Sequence, residues 1–186
     1  MVLFTGKGDR GTTKLFDSES GVRVSKSSAI FEALGTLDEL NTVVGWCRIA
    51  CSTDWMVGEK SISILLLEMQ QHLFTIQAEV AGAGKSIPVD NIRNIEERIQ
   101  LIEEQLPEIK TFFVPGGTEL SARLDIARTV SRRAERRLVE ILEKGERSVS
   151  EHTLAYANRL SSLLYALVRL VNHRERIVEQ SPKYVQ

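Results

Sequence analysis

Apolar residues recur three and four positions apart along most of the chain, which is the repeat of helices with one buried face. The repeat is clear in five segments, at about residues 27–51, 58–83, 90–106, 119–144 and 148–178. Strand patterns are almost absent, and the connections between the segments are short. The pattern predicts an all-α fold, an up-and-down bundle of five helices, in one domain over residues 1–186.

Capping and helix-breaking residues predict where several of these helices begin and end. Asp90 is expected to cap the third helix, and Pro107 is expected to mark its end. Gly145 is expected to stop the fourth helix. Ser148 and Glu151 form the capping-box pattern that opens the fifth helix.

The fourth helix, ARLDIARTVSRRAERRLVEIL, carries an unusual density of charge. Its predicted apolar stripe consists of Leu120, Leu124, Ala127, Ser131, Ala134, Leu138 and Ile141. At about 100° per residue, Arg128, Arg132 and Glu135 lie along one border of this stripe, whereas Arg133 points largely away from it. The border residues can line a crevice between helices, where the planar fork of arginine binds phosphate oxygens. Interleaved Arg and Glu are also typical of a solvated helix face with surface ion pairs.

Two further polar stripes favour a binding crevice over plain solvent exposure. The fifth helix carries, opposite its apolar side, a stripe of Asn158, Ser161, Tyr165, Arg169 and Asn172. The first helix contains GTLDELN, in which Asp38 and Asn41 lie one turn apart and can pair with an arginine across the crevice. Each stripe alone fits solvent exposure, and the three together indicate a site.

The glycine-rich start of the chain has the composition of a phosphate-binding loop. Residues 4–14 read FTGKGDRGTTK, in which glycine N–H groups lie beside threonine hydroxyls and lysines. Gly6 and Gly11 have the spacing of a P-loop, but Thr12 stands where the lysine belongs and no strand precedes the motif, so the chain is not a P-loop NTPase. Residues 1–25 are predicted to be a flexible segment, disordered when empty and ordered around a triphosphate, and residues 27–178 to be the helical bundle.

Composition excludes several classes of protein. The chain has 186 residues, 42% apolar and 26% charged, with a net charge of −1. These values are ordinary for a globular protein, and the net charge argues against a strongly basic nucleic-acid binder. No run approaches the roughly 18 apolar residues of a membrane span, and the N-terminus lacks a signal-peptide pattern. We therefore expect a cytoplasmic protein that binds neither nucleic acid nor a membrane.

No residue pattern predicts a nucleophile or a metal site on the protein itself. Cys47 and Cys51 are four residues apart on one helix face and are expected to be small buried apolar residues. His72, His152 and His173 are dispersed, far in sequence from any candidate Ser or Cys nucleophile. An enzyme of this kind takes its reactive atom from a substrate or a cofactor.

Five motifs, taken together, carry a family resemblance. They are TGKGDRGTT, FEALGTLDELN preceded by Lys26, FFVPGGT, ARTVSRRAERR and ANRLS. In this order and spacing they resemble the PduO-type ATP:cob(I)alamin adenosyltransferases over almost the whole chain. The resemblance implies a homotrimer of five-helix bundles with an active site at each subunit interface. It also implies transfer of the 5′-deoxyadenosyl group of ATP to the cobalt of reduced cobalamin, with release of triphosphate.

The resemblance also implies roles for individual residues. Phe112 is expected to stand against the lower face of the corrin and displace the lower cobalt ligand. Arg128 is expected to pair with Asp38 of the neighbouring subunit, and Arg132 to act in catalysis. Mg²⁺ is expected on the phosphates of ATP. The residues expected to bind the nucleotide are Thr5, Gly6, Lys7, Gly8, Asp9, Gly11, Thr12, Thr13, Lys14, Lys26, Arg132, Arg133, Glu135, Arg136 and Asn158.

The chain departs from the commoner family pattern at two positions. Ser162 follows NRLS where an aspartate is frequent, and Asp125 lies where an uncharged residue or histidine is usual; beside Arg128, Asp125 can retune the interface. A reductase and an adenosylcobalamin-dependent acceptor enzyme are the further partners that the resemblance implies. The alternative from another class is a non-enzymatic helical bundle that binds an anionic partner through the Arg-rich fourth helix.

Overall fold

Five helices form most of the computed structural model, which describes residues 3–52 and 55–184. The helices are α1 (Ala29–Ile49), α2 (Ile62–Val80), α3 (Val89–Glu103), α4 (Glu119–Glu143) and α5 (Glu151–Arg174). The strands are β1 (Thr12–Thr13), β2 (Val24–Ser25), β3 (Met56–Val57) and β4 (Lys60–Ser61), paired antiparallel as β1–β2 and β3–β4. The predicted all-α five-helix fold is confirmed, with two small hairpins that the sequence pattern did not predict.

The helices pack side by side in an order that differs from their order in the chain. α1 lies between α2 and α4, and α5 lies between α4 and α3. All seven residues of the predicted apolar stripe of α4 are buried, so that prediction is confirmed. α5 is buried around most of its circumference, which makes it the centre of the core. None of the described helices is long and apolar enough to cross a membrane.

Both ends of α4 are well defined. Thr118 Oγ1 accepts a hydrogen bond from the Ser121 N–H (3.1 Å), and Ser121 Oγ accepts one from the Thr118 N–H (2.8 Å). This reciprocal pair is a capping box, which satisfies two N–H groups that the first turn leaves free. At the other end Gly145 follows the last turn with φ +65°, as predicted, because a left-handed residue that ends a helix is usually glycine.

Two predicted helix starts are wrong. The N-cap of α3 is Pro88, and Asp90 lies within the first turn, where its carboxylate faces the positive end of the helix dipole. The N-cap of α5 is Ser150 and not Ser148, because Ser150 Oγ accepts the Thr153 N–H at 3.1 Å. Some predicted segments also run past the helices: residues 56–61 form the β3–β4 hairpin, and α3 ends before residue 106.

The N-terminal segment is fixed to one end of the bundle. The Phe16 N–H donates to the Ala81 carbonyl (2.9 Å), and the Asp17 carboxylate is bound by both terminal nitrogens of Arg147. The hydrogen bonds from Arg147 lower the pKa of Asp17. A side chain at Gly82 would overlap the Asp17 carboxyl, so this glycine permits the close approach. The part of residues 1–25 that the structure describes is thus anchored, and its predicted flexibility stays a prediction.

The two cysteines are unpaired thiols, as expected. Cys47 is buried and Cys51 is half-buried. Burial raises the pKa of Cys47 to about 12 and that of Cys51 to about 11. Both side chains therefore remain protonated near neutral pH, where the thiol is a poor nucleophile.

His72 joins three helices through both ring nitrogens. Nδ1 lies 2.7 Å from the Tyr156 hydroxyl of α5, and Nε2 lies 2.6 Å from Asn91 Nδ2 of α3. Burial lowers the pKa of His72, and the nearby Glu68 has a smaller opposing effect. The folded protein therefore favours the neutral imidazole.

The free energy of unfolding should consequently depend on pH through His72. The unfolded chain takes up a proton at this histidine near its ordinary pKa of about 6.5, whereas the folded chain resists protonation. Stability is then fully present above about pH 6.5 and declines as the pH falls toward 5. Urea unfolding across this range should show a smaller decline for His72→Gln than for the wild type, with the exposed His173→Gln as the matched control. An unchanged decline in His72→Gln would contradict the assignment.

Candidate functional site

A large cavity, of about 840 Å³, lies between the α3–α4 connector, α4 and α5. Its lining residues are Ile109, Lys110, Thr111, Phe112, Phe113, Arg128, Arg132, Ser161, Ser162 and Tyr165. Arg128 and Arg132 lie one turn apart on α4, and residues one turn apart share a helix face. Ser161 and Tyr165 stand in the same relation on α5. The helical repeat thus brings an arginine pair and a hydroxyl pair into one space.

Phe112 stands in the wall of this cavity and not in the core. Phe112 is 78% exposed, so it does not pack in the core of this chain. The adjacent Phe113 is half-buried, and the Arg169 guanidinium lies 5.3 Å from its ring centroid. Both rings of the connector line the cavity, but Phe113 is anchored against Arg169 whereas Phe112 is exposed.

Arg128 is held within its own chain. Its Nε donates to Asp125 Oδ1 at 2.8 Å, and its guanidinium lies 5.9 Å from the Tyr165 ring centroid. Burial raises the pKa of Tyr165. Asp125, one of the two departures from the family pattern, thus orients Arg128 directly. Asp38 is exposed on α1, and its pairing with Arg128 of a neighbouring subunit stays a prediction.

A second, more polar groove of about 330 Å³ continues along α4 toward its C-terminal end. Its lining residues are Arg132, Glu135, Arg136, Val139, Glu140, Glu143 and Asn158. Asn158 Nδ2 donates to Glu135 Oε1 at 2.7 Å, which joins α5 to α4 across the groove. Four of the residues predicted to bind the nucleotide meet here. Arg132 lines both the groove and the large cavity.

Two residues singled out in the sequence lie away from both spaces. Arg133 is ion-paired with Glu39 of α1, and it lines neither the cavity nor the groove. Asn41 does not face α4, as the crevice prediction required: it is buried against α2, where Gln70 Nε2 donates to its carbonyl at 3.2 Å. Successive residues of a helix are rotated by about 100° around its axis. This rotation places Asn41 on the side of α1 that faces α2.

The predicted phosphate loop is organised by an arginine that sequence reasoning missed. The Arg23 guanidinium donates to Thr12 Oγ1 (2.9 Å), to the Thr12 carbonyl (2.7 Å) and to the Lys7 carbonyl (2.8 Å). The Lys26 N–H donates to the Gly11 carbonyl (2.9 Å). The only signal in the sequence was an arginine in RVSK, the segment that contains β2. Among the described residues, no hydrogen bond or ion pair joins this loop to the groove on α4.

Comparison with known proteins identifies the family. A sequence profile described as cobalamin adenosyltransferase matches residues 3–171. The chain belongs to this family. Two curated relatives, the corrinoid adenosyltransferases PduO of Citrobacter freundii and Salmonella typhimurium, are 39% and 37% identical to it over 93% and 98% of its length. The chain spans only 50% and 54% of the lengths of those two relatives.

Other relatives match this family member end to end. The corrinoid adenosyltransferase of Bacillus subtilis is 35% identical, with 95% of this chain aligned to 90% of that protein. A variant PduO-type ATP:corrinoid adenosyltransferase from Lactobacillus reuteri, solved in complex with cobalamin and ATP, superposes with a TM-score of 0.87 at 28% identity. That superposition covers 98% of this chain and 100% of the solved one. The five-helix fold is thus the fold of this family.

Metal-binding side chains are not clustered in the part of the chain that the structure describes. Over residues 3–52 and 55–184, no group of three or more His, Cys, Asp or Glu side chains is placed to hold a metal ion. The cations around the cavity and the groove are Lys110, Arg128, Arg132 and Arg136, and arginines suit anionic groups of a ligand. The groove also carries three glutamates, Glu135, Glu140 and Glu143.

Proposed function

We propose that this chain is an ATP:corrinoid adenosyltransferase, which transfers the 5′-deoxyadenosyl group of ATP to the cobalt of reduced cobalamin. The observation that carries the proposal is the position of Arg132, which lines both the large cavity and the polar groove. A large cavity suits the corrin ring, and a polar groove with Arg132 and Arg136 in its wall suits the phosphates of the nucleotide. The shared residue therefore marks where the two substrates would meet. The names of the relatives and the ligands of the structural neighbour support the same pairing of substrates.

The reaction requires that the two substrates are positioned and that the charge of the leaving triphosphate is neutralised. The chain can supply both. The electron pair of Co(I) attacks C5′ of the ribose, the C5′–O bond breaks, and its electrons leave with the triphosphate. Arg132 and Arg136 would neutralise the charge that develops on the leaving group, with Mg²⁺ carried on the phosphates of the substrate. Preorganised charges of this kind stabilise a transition state without reorganising water.

Phe112 suits a role on the cobalamin side of the reaction. An exposed aromatic ring in the cavity wall would exclude water and the lower ligand from one face of the cobalt. Four-coordinate Co(II) lacks donors on both axial faces and is easier to reduce to Co(I). Arg128 and Tyr165 line the same cavity and would contact the corrin or hold the neighbouring subunit.

We also propose that the active site forms between subunits of a homotrimer. In a single chain the loop with Lys7, Lys14 and Lys26 is anchored near Arg147 and makes no hydrogen bond to the described residues of the groove. A neighbouring subunit would bring such a loop onto the groove and would also bring Asp38 to Arg128. A solution mass equal to one chain of 20.9 kDa at working concentrations would refute this assembly.

The reaction implies two protein partners in the cytoplasm. A reductase would supply the electron that converts Co(II) to Co(I), and an adenosylcobalamin-dependent enzyme would receive the product. Turnover from Co(II) that is independent of any added electron donor would exclude the first of these partners.

No observation favours the non-enzymatic alternative. Four of the six arginines of α4 are paired within the chain: Arg123 with Glu119, Arg128 with Asp125, Arg133 with Glu39 and Arg137 with Glu140. The helix therefore presents no continuous basic face to an anionic partner. The unpaired cations are turned into the groove instead.

Arg132→Ala tests the nucleotide half of the site. Removing a preorganised charge donor should lower turnover by roughly 10²-fold or more, measured as formation of the light-sensitive cobalt–carbon product from MgATP and chemically reduced cobalamin. Arg137→Ala, on the same helix but outside both spaces, is the matched control and should retain wild-type turnover. Full activity in Arg132→Ala would remove the central support of the proposal.

Phe112→Ala tests the cobalamin half. The variant should lose more turnover when the assay starts from Co(II) with a reductant than when it starts from Co(I), because the proposed role of the ring precedes reduction. Val114→Ala, an exposed position on the same connector outside the cavity, is the control. Equal losses from the two starting states would contradict this role.

A further inference from the structure

A buried ion pair lies beside the cavity, at the end of the polar stripe of α5. Arg169 is only 5% exposed, and its Nε lies 3.2 Å from Glu179 Oε2 in the C-terminal segment. Its terminal nitrogen donates to the Pro107 carbonyl at 3.1 Å. A buried guanidinium is costly unless it is paired and hydrogen-bonded, so both partners are held in place. Arg169 therefore ties the start of the α3–α4 connector and the C-terminal segment to α5.

The other end of the connector is tied to the same group of residues. Asn172 Nδ2 donates to the Gly116 carbonyl at 3.3 Å and lies 3.4 Å from Glu179 Oε1. Gly117 has φ +135°, and a side chain there would overlap Asn172. Only glycine readily adopts this backbone conformation, so the connector approaches α5 closely at this point.

The C-terminal segment also holds the middle of the connector. The Val114 N–H donates to the Gln180 carbonyl at 2.8 Å, one residue after Glu179. Directly before Val114, the Phe113 ring packs against the Arg169 guanidinium at 5.3 Å from the ring centroid, a cation–π distance. Phe113, which also lines the cavity, is half-buried by this contact, whereas the preceding Phe112 is exposed. The position of Phe112 thus follows from the contacts of the next two residues, Phe113 and Val114.

We infer that Arg169, through its pair with Glu179, is a positioning residue for Phe112. Arg169 does not line the large cavity, so it reaches Phe112 through the connector. The C-terminal segment becomes a working part of the cobalamin site, because it supplies the carboxylate that holds the arginine. This inference rests on the proposed function, since it assigns a task to the ring that would displace the lower cobalt ligand.

Two variants separate positioning from folding. Glu179→Gln keeps the size of the side chain and removes its charge. The double variant Arg169→Met with Glu179→Met leaves no unpaired buried charge, and such replacements are often neutral for stability. Glu68→Gln, which breaks the ion pair with Lys60 between β4 and α2, is the matched control. All are compared with the wild-type full chain by unfolding, ATP affinity and the absorption spectrum of cob(II)alamin with saturating MgATP.

The expected result is a selective loss on the cobalt side. Both variants should unfold cooperatively and bind ATP within about twofold of the wild type, while the yield of four-coordinate Co(II) falls roughly tenfold or more, the scale of misplacing a group by about 1 Å. Wild-type yields of four-coordinate cobalt in both variants would overturn the inference. So would a parallel loss of ATP affinity, which indicates a structural role. If the wild type gave no four-coordinate cobalt, the proposed function itself would fail, and the inference with it.

Discussion

The packing of α4 on α5 is the interaction on which the other features depend. Leu138 of α4 and Leu164 and Leu167 of α5 lose all exposure to solvent, and burial of each such side chain contributes about 1.5–3 kcal/mol. Because its apolar face is fixed in this way, α4 places Arg132 at the edge of the interface between α4 and α5. Asn158 emerges opposite on α5. The cavity and the groove are the two spaces that open along this border.

Helical periodicity was enough to predict the bundle, the buried stripe of α4 and the side on which Arg128, Arg132 and Glu135 lie. Periodicity did not predict the contacts of a residue whose partner is distant in sequence or lies in a loop. Asn41 falls on the α2 side because α1 packs between two helices, an order that the sequence does not state. Arg23 acts on Thr12 of the short β1–β2 hairpin, and Arg169 pairs with Glu179 of the C-terminal segment. Neither Thr12 nor Glu179 lies in a helix, so helical periodicity could not predict these contacts. Two helix starts were predicted wrongly for local reasons. α3 begins after Pro88, which makes no side-chain cap, and α5 begins after Ser150, close to the equally suitable Ser148.

The cavity and the groove are bounded by residues that other side chains hold in position. Asp125 orients Arg128, Asn158 holds Glu135, and Arg169 holds the connector that carries Phe112. A catalyst that works by positioning and charge neutralisation requires such support, because small displacements of its groups greatly lower the reaction rate. In this family member the support comes from Asp125 of α4, from α5 and from the C-terminal segment.

The most direct measurement is a titration of cob(II)alamin into the protein, followed by its visible absorption spectrum, with and without MgATP. For an adenosyltransferase whose cavity and groove meet at Arg132, the bands of a four-coordinate species should appear only when MgATP is present. An unchanged spectrum, from folded protein with ATP shown to be bound, would contradict the function and leave a nucleotide-binding helical bundle with a different reaction.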